Sequence, residues 1–339
     1  MTKVKTVNVG LIGAGRIGSF HGESVAKRLV DAELIAVADP APGAAAKLSE
    51  RLGADASYTD VAEMLSHPGL DAVIIATPAR FHTNILVQAA EAGKAIFCEK
   101  PMALTLEDAD RGIAAAKAAG VPLQVGFNRR WDQAFAEGRE AIDAGKVGAV
   151  QLIRSLTRDP GPFGGDPGRI PLWTIFYETL IHDFDTLLWL NPGAKPVEVF
   201  AMADALVRSD ARNTGFLDTA VVNIRFDNGS IAVAEANFSA MYGYDIRGEV
   251  FGSGGMVAMG DVRRSSMTLF DATGVSNETW RRDTEHFVQA YTAQLASFVD
   301  AVRNGVVQNA PTGADARNAL AIALAAIESV SKKQPVPVS

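Results

Sequence analysis

The sequence predicts an α/β protein. An N-terminal domain with a doubly wound parallel sheet is followed by an α+β domain whose sheet is mostly antiparallel. Three observations carry this. The chain has 339 residues, a length that usually divides into two cores. Its first 125 or so residues alternate continuous apolar runs with alanine-rich helical stretches, the mark of a sheet covered on both faces. After Trp131 the texture changes to successive short strands with turn signals. The reading places one domain over residues 1–127 and the second over 128–339.

In order, the strand-like runs of the first domain are TVNVGLIG (6–13), ELIAVAD (33–39), DAVIIAT (71–77), KAIFCEK (94–100) and PLQVGF (122–127). Helical spacing marks NILVQAAEAGK (84–94) and LEDADRGIAAAKAAG (106–120). Gly93 and Gly120 stand where helix C-caps belong, and Asp60, before VAEML, is a helix N-cap. In the second domain a helix is expected over 132–144 and a strand over 149–156. A loop rich in Gly and Pro covers 158–171, and a helix over 174–190 is stopped by Asn191-Pro192. Strands VEVFAMADAL, DTAVVNIRF, SIAVAEANFSA, DIRGEVFG and GGMVAMG follow. Asp227-Asn228-Gly229 signals a hairpin. Two helices, 285–304 and 313–331, close the chain, and no internal repeat is found.

Composition is that of a soluble globular protein, 48% hydrophobic and 21% charged, with net charge −7. Arg129-Arg130, Arg263-Arg264 and Arg281-Arg282 are isolated pairs, so no clustered basic face marks a nucleic-acid partner. No apolar run approaches the ~20 residues of a membrane span, and the glycine-rich N-terminus does not read as a signal peptide. The single cysteine, Cys98, cannot form an internal disulfide, which places the chain in a reducing cytoplasm.

Gly13-x-Gly15-x-x-Gly18 follows a strand and opens a helix. The first glycine permits the tight turn, the second lets the backbone approach a pyrophosphate, and the third lets helix and strand pack closely. Arg16 and Ile17 lie in the same turn. The helix N-terminus offers unpaired N–H groups to phosphate. Asp39 ends the next strand at the spacing expected of an acid that binds ribose hydroxyls. It would repel a 2′-phosphate, and Pro40, Ala41 and Pro42 supply no compensating cation, so the cofactor expected in this Rossmann domain is NAD rather than NADP. Thr77-Pro78 ends a further strand on the cofactor side. His82, four residues on, is read as facing solvent and receives no role. Glu99-Lys100-Pro101 ends the next strand. Lys100 there either opens a solvated loop or hydrogen-bonds a substrate oxygen and lowers the pKa of a neighbouring base.

ETLIHDFDTLLWL (178–190) sets Glu178, His182, Asp183 and Asp185 in an apolar segment. A surface pair one helical turn apart, a metal site and an acid/base centre are the three readings. The chain has five histidines, none paired with His182 at metal-ligand spacing, so no metal is expected.

GAGRIG, VADP, EKP, GFNRRWD and the segment around His182, in that order, resemble the Gfo/Idh/MocA (glucose–fructose oxidoreductase / inositol dehydrogenase) family over nearly the whole chain. Within it they are most like the NAD-dependent inositol dehydrogenases. The resemblance implies a Rossmann domain, an open-faced sheet domain and assembly as a homotetramer through the sheets. It implies an active site lined by Lys100, with Glu99 beside the cofactor and His182 as general base. The family has Asp four residues before that histidine; here the position is Glu178, one methylene longer. Arg130, Thr157, Asp159, Tyr242, Tyr244 and Tyr291 match substrate-side positions. Asp183 and Asp185 are read as structural, and Trp173 as core packing or a stacking surface. The expected activity is oxidation of a cyclic polyol, myo-inositol first, to its 2-keto form. A dehydrogenase or reductase of a pyranose or another inositol isomer is the alternative, with an NAD-using glycosidase or a non-catalytic NAD-binding regulator more remote.

Overall fold

The computed structural model describes residues 6–161, 166–305 and 310–338. Part of the Gly/Pro-rich loop reading (162–165) and the first five residues of the N-terminal reading lie outside them. The chain forms two compact units, Met1–Trp131 with Gln289–Arg317, and Asp132–Val288 with Asn318–Ser339.

In the first unit β1 (Val7–Ile12) runs into α1 (Arg16–Arg28). Then come β2 (Ala32–Ala38), α2 (Ala44–Leu52), β3 (Ala56–Tyr58), α3 (Val61–Leu65), β4 (Ala72–Ile75), α4 (His82–Glu91), β5 (Ala95–Cys98), α5 (Leu106–Ala119) and β6 (Leu123–Val125). The six strands pair in parallel in the order β3-β2-β1-β4-β5-β6. Winding reverses between β1 and β4, which makes the ends of these strands the binding edge of such a sheet. Strands β4 and β5 are buried throughout, hence their unbroken apolar runs. β3 was missed because this three-residue edge strand, Ala-Ser-Tyr, buries little. The expected caps are present: Asp60 accepts the Glu63 N–H at 3.0 Å, and Gly93 and Gly120 both have φ 68°.

The second unit contains α6 (Gln133–Asp143), β7 (Val150–Pro160), α7 (Ile181–Trp189), β8 (Pro196–Asp204), β9 (Thr219–Phe226), β10 (Ile231–Ala240), β11 (Asp245–Gly252) and β12 (Gly255–Met259). A small hairpin, β13 (Leu269–Asp271) and β14 (Gly274–Ser276), and the short helix α8 (Asp283–His286) follow. Helices α9 (Val288–Asn304) and α10 (Gly313–Lys332) and strand β15 (Val336–Pro337) end the chain. The sheet order is β12-β11-β7-β10-β9-β8-β15. Every pair is antiparallel except β7–β10. The β9–β10 hairpin closes at Gly229, φ 85°, whose N–H donates to Phe226 at 3.0 Å. α7 packs on β7 and β10.

Two expectations need correction. Residues 289–317 group with the first unit rather than with everything after 128: Leu295, Phe298 and Val299 of α9 share a core with Val9, Leu34 and Phe97. The segment expected as one α-helix over 174–190 opens instead as a wide π turn, Ile175–Leu180, before α7.

Candidate active site

The ends of β1, β2, β4 and β5 carry the residues singled out in the first unit. At Gly13, φ 104°, a Cβ would stand 2.6 Å from the Ala76 carbonyl oxygen; at Gly18 it would stand 1.9 Å from that of Gly13. Side chains are therefore excluded at both positions, and α1 is pressed against the turn. At Gly15 a Cβ would meet nothing within 4 Å, so the turn is open there, as a close approach of backbone to a pyrophosphate requires. Gly15 is the N-cap of α1, no side chain caps it, and no acid occupies the first turn. Arg16 is exposed and Ile17 half-buried beside it. That cradle fits the pyrophosphate of a dinucleotide.

Asp39 is locked to the turn. Its Oδ2 accepts the Ala14 N–H at 2.7 Å and its Oδ1 the Ala41 N–H at 2.8 Å. A carboxylate has about four acceptor sites, so both oxygens retain capacity for ribose hydroxyls. Thr77, half-buried at the end of β4, has a hydroxyl oxygen with no hydrogen-bond partner among the described residues, a polar group suited to a ligand. Pro78 beside it is exposed.

At the end of β5, Glu99 is buried and Lys100 half-buried. The Lys100–Pro101 peptide is cis. Glu99 Oε1 lies 2.6 Å from His21 Nε2, and Oε2 accepts the Lys100 N–H at 3.1 Å. Burial, the largest influence, pushes the Glu99 carboxyl up. The hydrogen bond and charge of His21 and the charge and N–H of Lys100 outweigh it and hold the group below its ordinary value. Burial pushes the neighbouring Cys98 thiol well up, which makes it a poor nucleophile.

His82 does not face solvent as expected. It is 1% exposed, its Nδ1 2.8 Å from the Pro101 carbonyl and its Nε2 2.7 Å from that of Thr77. The sequence reading passed over His21 and gave His82 no role. The one available signal was their position, each a few residues beyond a cofactor-side turn.

Tyr291 and Arg130 also belong to the first unit. Tyr291 is buried, edge-on to Phe20 at 5.3 Å and to His21 at 5.8 Å. Arg130 pairs with Asp315 at 3.4 Å.

In the second unit Glu178 is exposed and His182 half-buried. They straddle the change from π turn to α-helix, so the regular four-residue stacking of an α-helix does not describe them. Trp173, just ahead, has φ 66°, a left-handed conformation that a bulky residue adopts only where its surroundings enforce it. Asp183 anchors the next turn. Fully buried, it accepts the Ser155 hydroxyl at 2.5 Å and the Thr157 hydroxyl at 2.7 Å, both from β7. Thr157 thus uses its hydroxyl donor within the fold. Asp185 is buried one residue beyond Phe184.

Asp159 is half-buried near the end of β7. The Tyr242 hydroxyl donates to the buried Asp245 at 2.6 Å and accepts from Arg158 at 3.1 Å. Burial, then the Asp245 carboxylate, push the tyrosine's pKa up. Arg158 also binds Glu235, and Arg247 binds Asp245 at 2.8 Å. Tyr244 is half-buried, its ring 6.4 Å from that of His286. Among the described residues no cluster of three or more His, Cys, Asp or Glu is arranged to hold a metal ion.

A doubly wound sheet with this glycine turn and acidic strand end defines a dinucleotide-binding protein. Residues 7–127 match the oxidoreductase family with NAD-binding Rossmann fold, and residues 135–258 match the GFO/IDH/MocA C-terminal domain. The chain belongs to the Gfo/Idh/MocA family. It is 36% identical to a myo-inositol 2-dehydrogenase of Thermotoga maritima over 331 residues, 97% of this chain and 98% of that one. It is 35% identical to an NAD-dependent scyllo-inositol 2-dehydrogenase of Bacillus subtilis, covering 97% of this chain and 96% of the other. Its fold is similar to scyllo-inositol dehydrogenase of Lactobacillus casei solved with NAD(H) and scyllo-inositol. There the TM-score is 0.90 at 28% identity, covering 98% of this chain and 99% of that one.

Proposed function

We propose that the protein oxidises a secondary alcohol of a cyclic polyol, myo-inositol first, to its 2-ketone with NAD. The observation that carries this is the common edge of the first sheet, where the glycine turn, Asp39, Thr77 and Lys100 all stand at strand ends. The glycine turn, Asp39 and Thr77 would hold NAD there, and its nicotinamide would supply the hydride acceptor for the alcohol carbon. His182 takes the hydroxyl proton and passes it to solvent. Glu178 stabilises the charged imidazole, as carboxylates do beside other catalytic histidines. Lys100 donates a hydrogen bond to the substrate oxygen as it gains alkoxide character. Thr157, Asp159, Arg130 and the three tyrosines are the proposed substrate side.

Relatives of near-equal identity act on myo- and scyllo-inositol, so the ring isomer is decided by assay. The test is NADH formation with myo-, scyllo- and chiro-inositol, glucose and xylose. Turnover on an inositol, cut about 10²-fold or more in His182→Ala with NAD affinity retained, is the expected result. Turnover on pyranoses alone would move the substrate to the sugars. Unchanged turnover in the variant would remove His182 as base.

The single buried cysteine supports a cytoplasmic location, and no helix among the described residues is long and apolar enough to cross a membrane. A tetramer is proposed through the second unit's open sheet face, which presents Leu152, Ile231, Phe251 and Met256 to solvent.

A further inference from the structure

Three buried groups with no part in the chemistry above meet at the turn that carries Lys100. His21, from the helix that starts at the glycine turn, contacts Glu99 Oε1 at 2.6 Å; Glu99 Oε2 in turn holds the Lys100 N–H at 3.1 Å. His82, from α4, reaches the Pro101 carbonyl at 2.8 Å with one ring nitrogen and the Thr77 carbonyl at 2.7 Å with the other. The main-chain groups on either side of the lysine are therefore each held by a buried side chain, the N–H by Glu99, which His21 of α1 backs, and the Pro101 carbonyl by His82 of α4. Both histidines are almost wholly buried. Edge-on rings of Phe97 at 5.6 Å and Tyr291 at 5.8 Å hold the His21 ring in one orientation.

The space around the carboxylate is also closed. At Gly126, just past β6, a Cβ would stand 3.0 Å from Glu99 Cδ and Oε1 and 3.1 Å from Oε2. Glu99 is tied at both oxygens and cannot yield without loosening a tie. Burying polar and ionisable groups is costly when hydrophobic packing would do. What such a network adds is fixed geometry, which an electrostatic catalyst on a flexible stem needs from its backbone.

We propose that His21, Glu99 and His82 are positioning residues for Lys100, and that His82 also couples the Lys100 turn to the Thr77 turn. The proposal rests on the reading of Lys100 as donor to the reacting oxygen. Both partners of His82 are carbonyls, which only accept, so holding both takes an N–H on each ring nitrogen, and the two links are separable. Asn carries its side-chain nitrogen near the place of Nδ1, and Gln near that of Nε2. His82→Asn preserves the link to Pro101, and His82→Gln the link to Thr77. Gly126→Ala removes no polar group and presses only on the Glu99 carboxylate.

The experiment compares kcat, KM for the polyol and NAD affinity by fluorescence titration across His82→Leu, His82→Asn, His82→Gln, Glu99→Leu, Glu99→Gln and Gly126→Ala. Amide hydrogen exchange over residues 98–102 is read on each protein without substrate. His82→Leu and Glu99→Leu are expected to lower kcat by about 10- to 100-fold, the scale of a misplacement approaching 1 Å, and Gly126→Ala, which shifts the carboxylate by only a few tenths of an ångström, to lower it by a smaller factor; all three should speed exchange over the turn. Glu99→Gln, which keeps an acceptor for the Lys100 N–H, should recover much of the loss. His82→Asn should recover kcat, and His82→Gln NAD affinity.

Wild-type kcat and exchange in His82→Leu and Gly126→Ala would overturn the proposal while leaving the dehydrogenase reading intact. Should His82→Leu fail to fold, identical behaviour of His82→Asn and His82→Gln, with Gly126→Ala unaffected, overturns it equally. A wild-type protein that oxidises no alcohol, with exchange over the turn still governed by His82 and Glu99, would instead sink the functional reading.

Discussion

In the proposed function Asp39 serves shape and selectivity together. Its oxygens tie the glycine turn and the strand end through Ala14 and Ala41, and the same charge disfavours a 2′-phosphate. Asp39→Ala should weaken NAD at least about tenfold, since hydrogen bonds to charged groups contribute about 1.5–3 kcal/mol each, and should narrow the preference over NADP. Titration of both cofactors checks this; a wild type that binds NADP more tightly refutes it. Glu99 makes a second prediction. Its folded pKa lies below the ordinary 4.5, so its stabilising contribution is complete above that value and is lost as pH falls through the folded pKa. Melting temperature between pH 7 and 3 should therefore fall less steeply in Glu99→Gln than in the wild type. Parallel slopes would refute it. Asp39 was legible because its partners are local and the spacing from Gly18 is fixed by one β-α-β unit. His21 was not: its carboxylate lies 78 positions away, and nothing in the local pattern distinguishes a buried imidazole from an exposed one.

At the scale of elements, α7 owes its place to a polar tie as much as to its apolar face. Asp183 is buried and takes two hydroxyl donors from β7. Thr157→Val keeps the shape and removes one donor from a buried carboxylate, so a loss of about 1.5–3 kcal/mol is expected, read by urea unfolding. A change under about 0.5 kcal/mol, the level of an ordinary surface substitution, would mean the tie is not structural. The strands of the second sheet were legible because alternation survives wherever one face is packed; β9 and β10 show it along their length. The π turn was not legible. Its buried residues Ile175, Phe176, Thr179 and Leu180 stand at spacings an α-helix would also use, and the left-handed Trp173 ahead of it carries no sequence mark comparable to glycine.

For the whole molecule, the two-domain division was readable from the change in texture after Trp131, but the return of 289–317 to the first unit was not. An amphipathic helix announces that it has an apolar face, not which core receives it; α9 gives Leu295, Phe298 and Val299 to the first. The same limit applies to the open sheet face, where the structure adds register. Met256, Phe251, Leu152 and Ile231 are direct cross-strand neighbours on β12, β11, β7 and β10. The row continues into Arg225 and its partner Glu198 on the next strands. These four apolar side chains are 37–54% exposed, an apolar row with a charged rim of the kind that marks an association surface. In a two-fold assembly each residue is buried twice. Replacing Phe251 by Glu then removes two aromatic burials, about 1.5–3 kcal/mol each, and sets a charge in each copy's interface. Association should weaken by at least about 10²-fold on that scale, with each subunit still folded because Phe251 lies outside its core. Sedimentation equilibrium of wild type and Phe251→Glu tests this. A monomeric wild type, or a variant that associates as strongly as the wild type, would mean that this face does not hold the copies together.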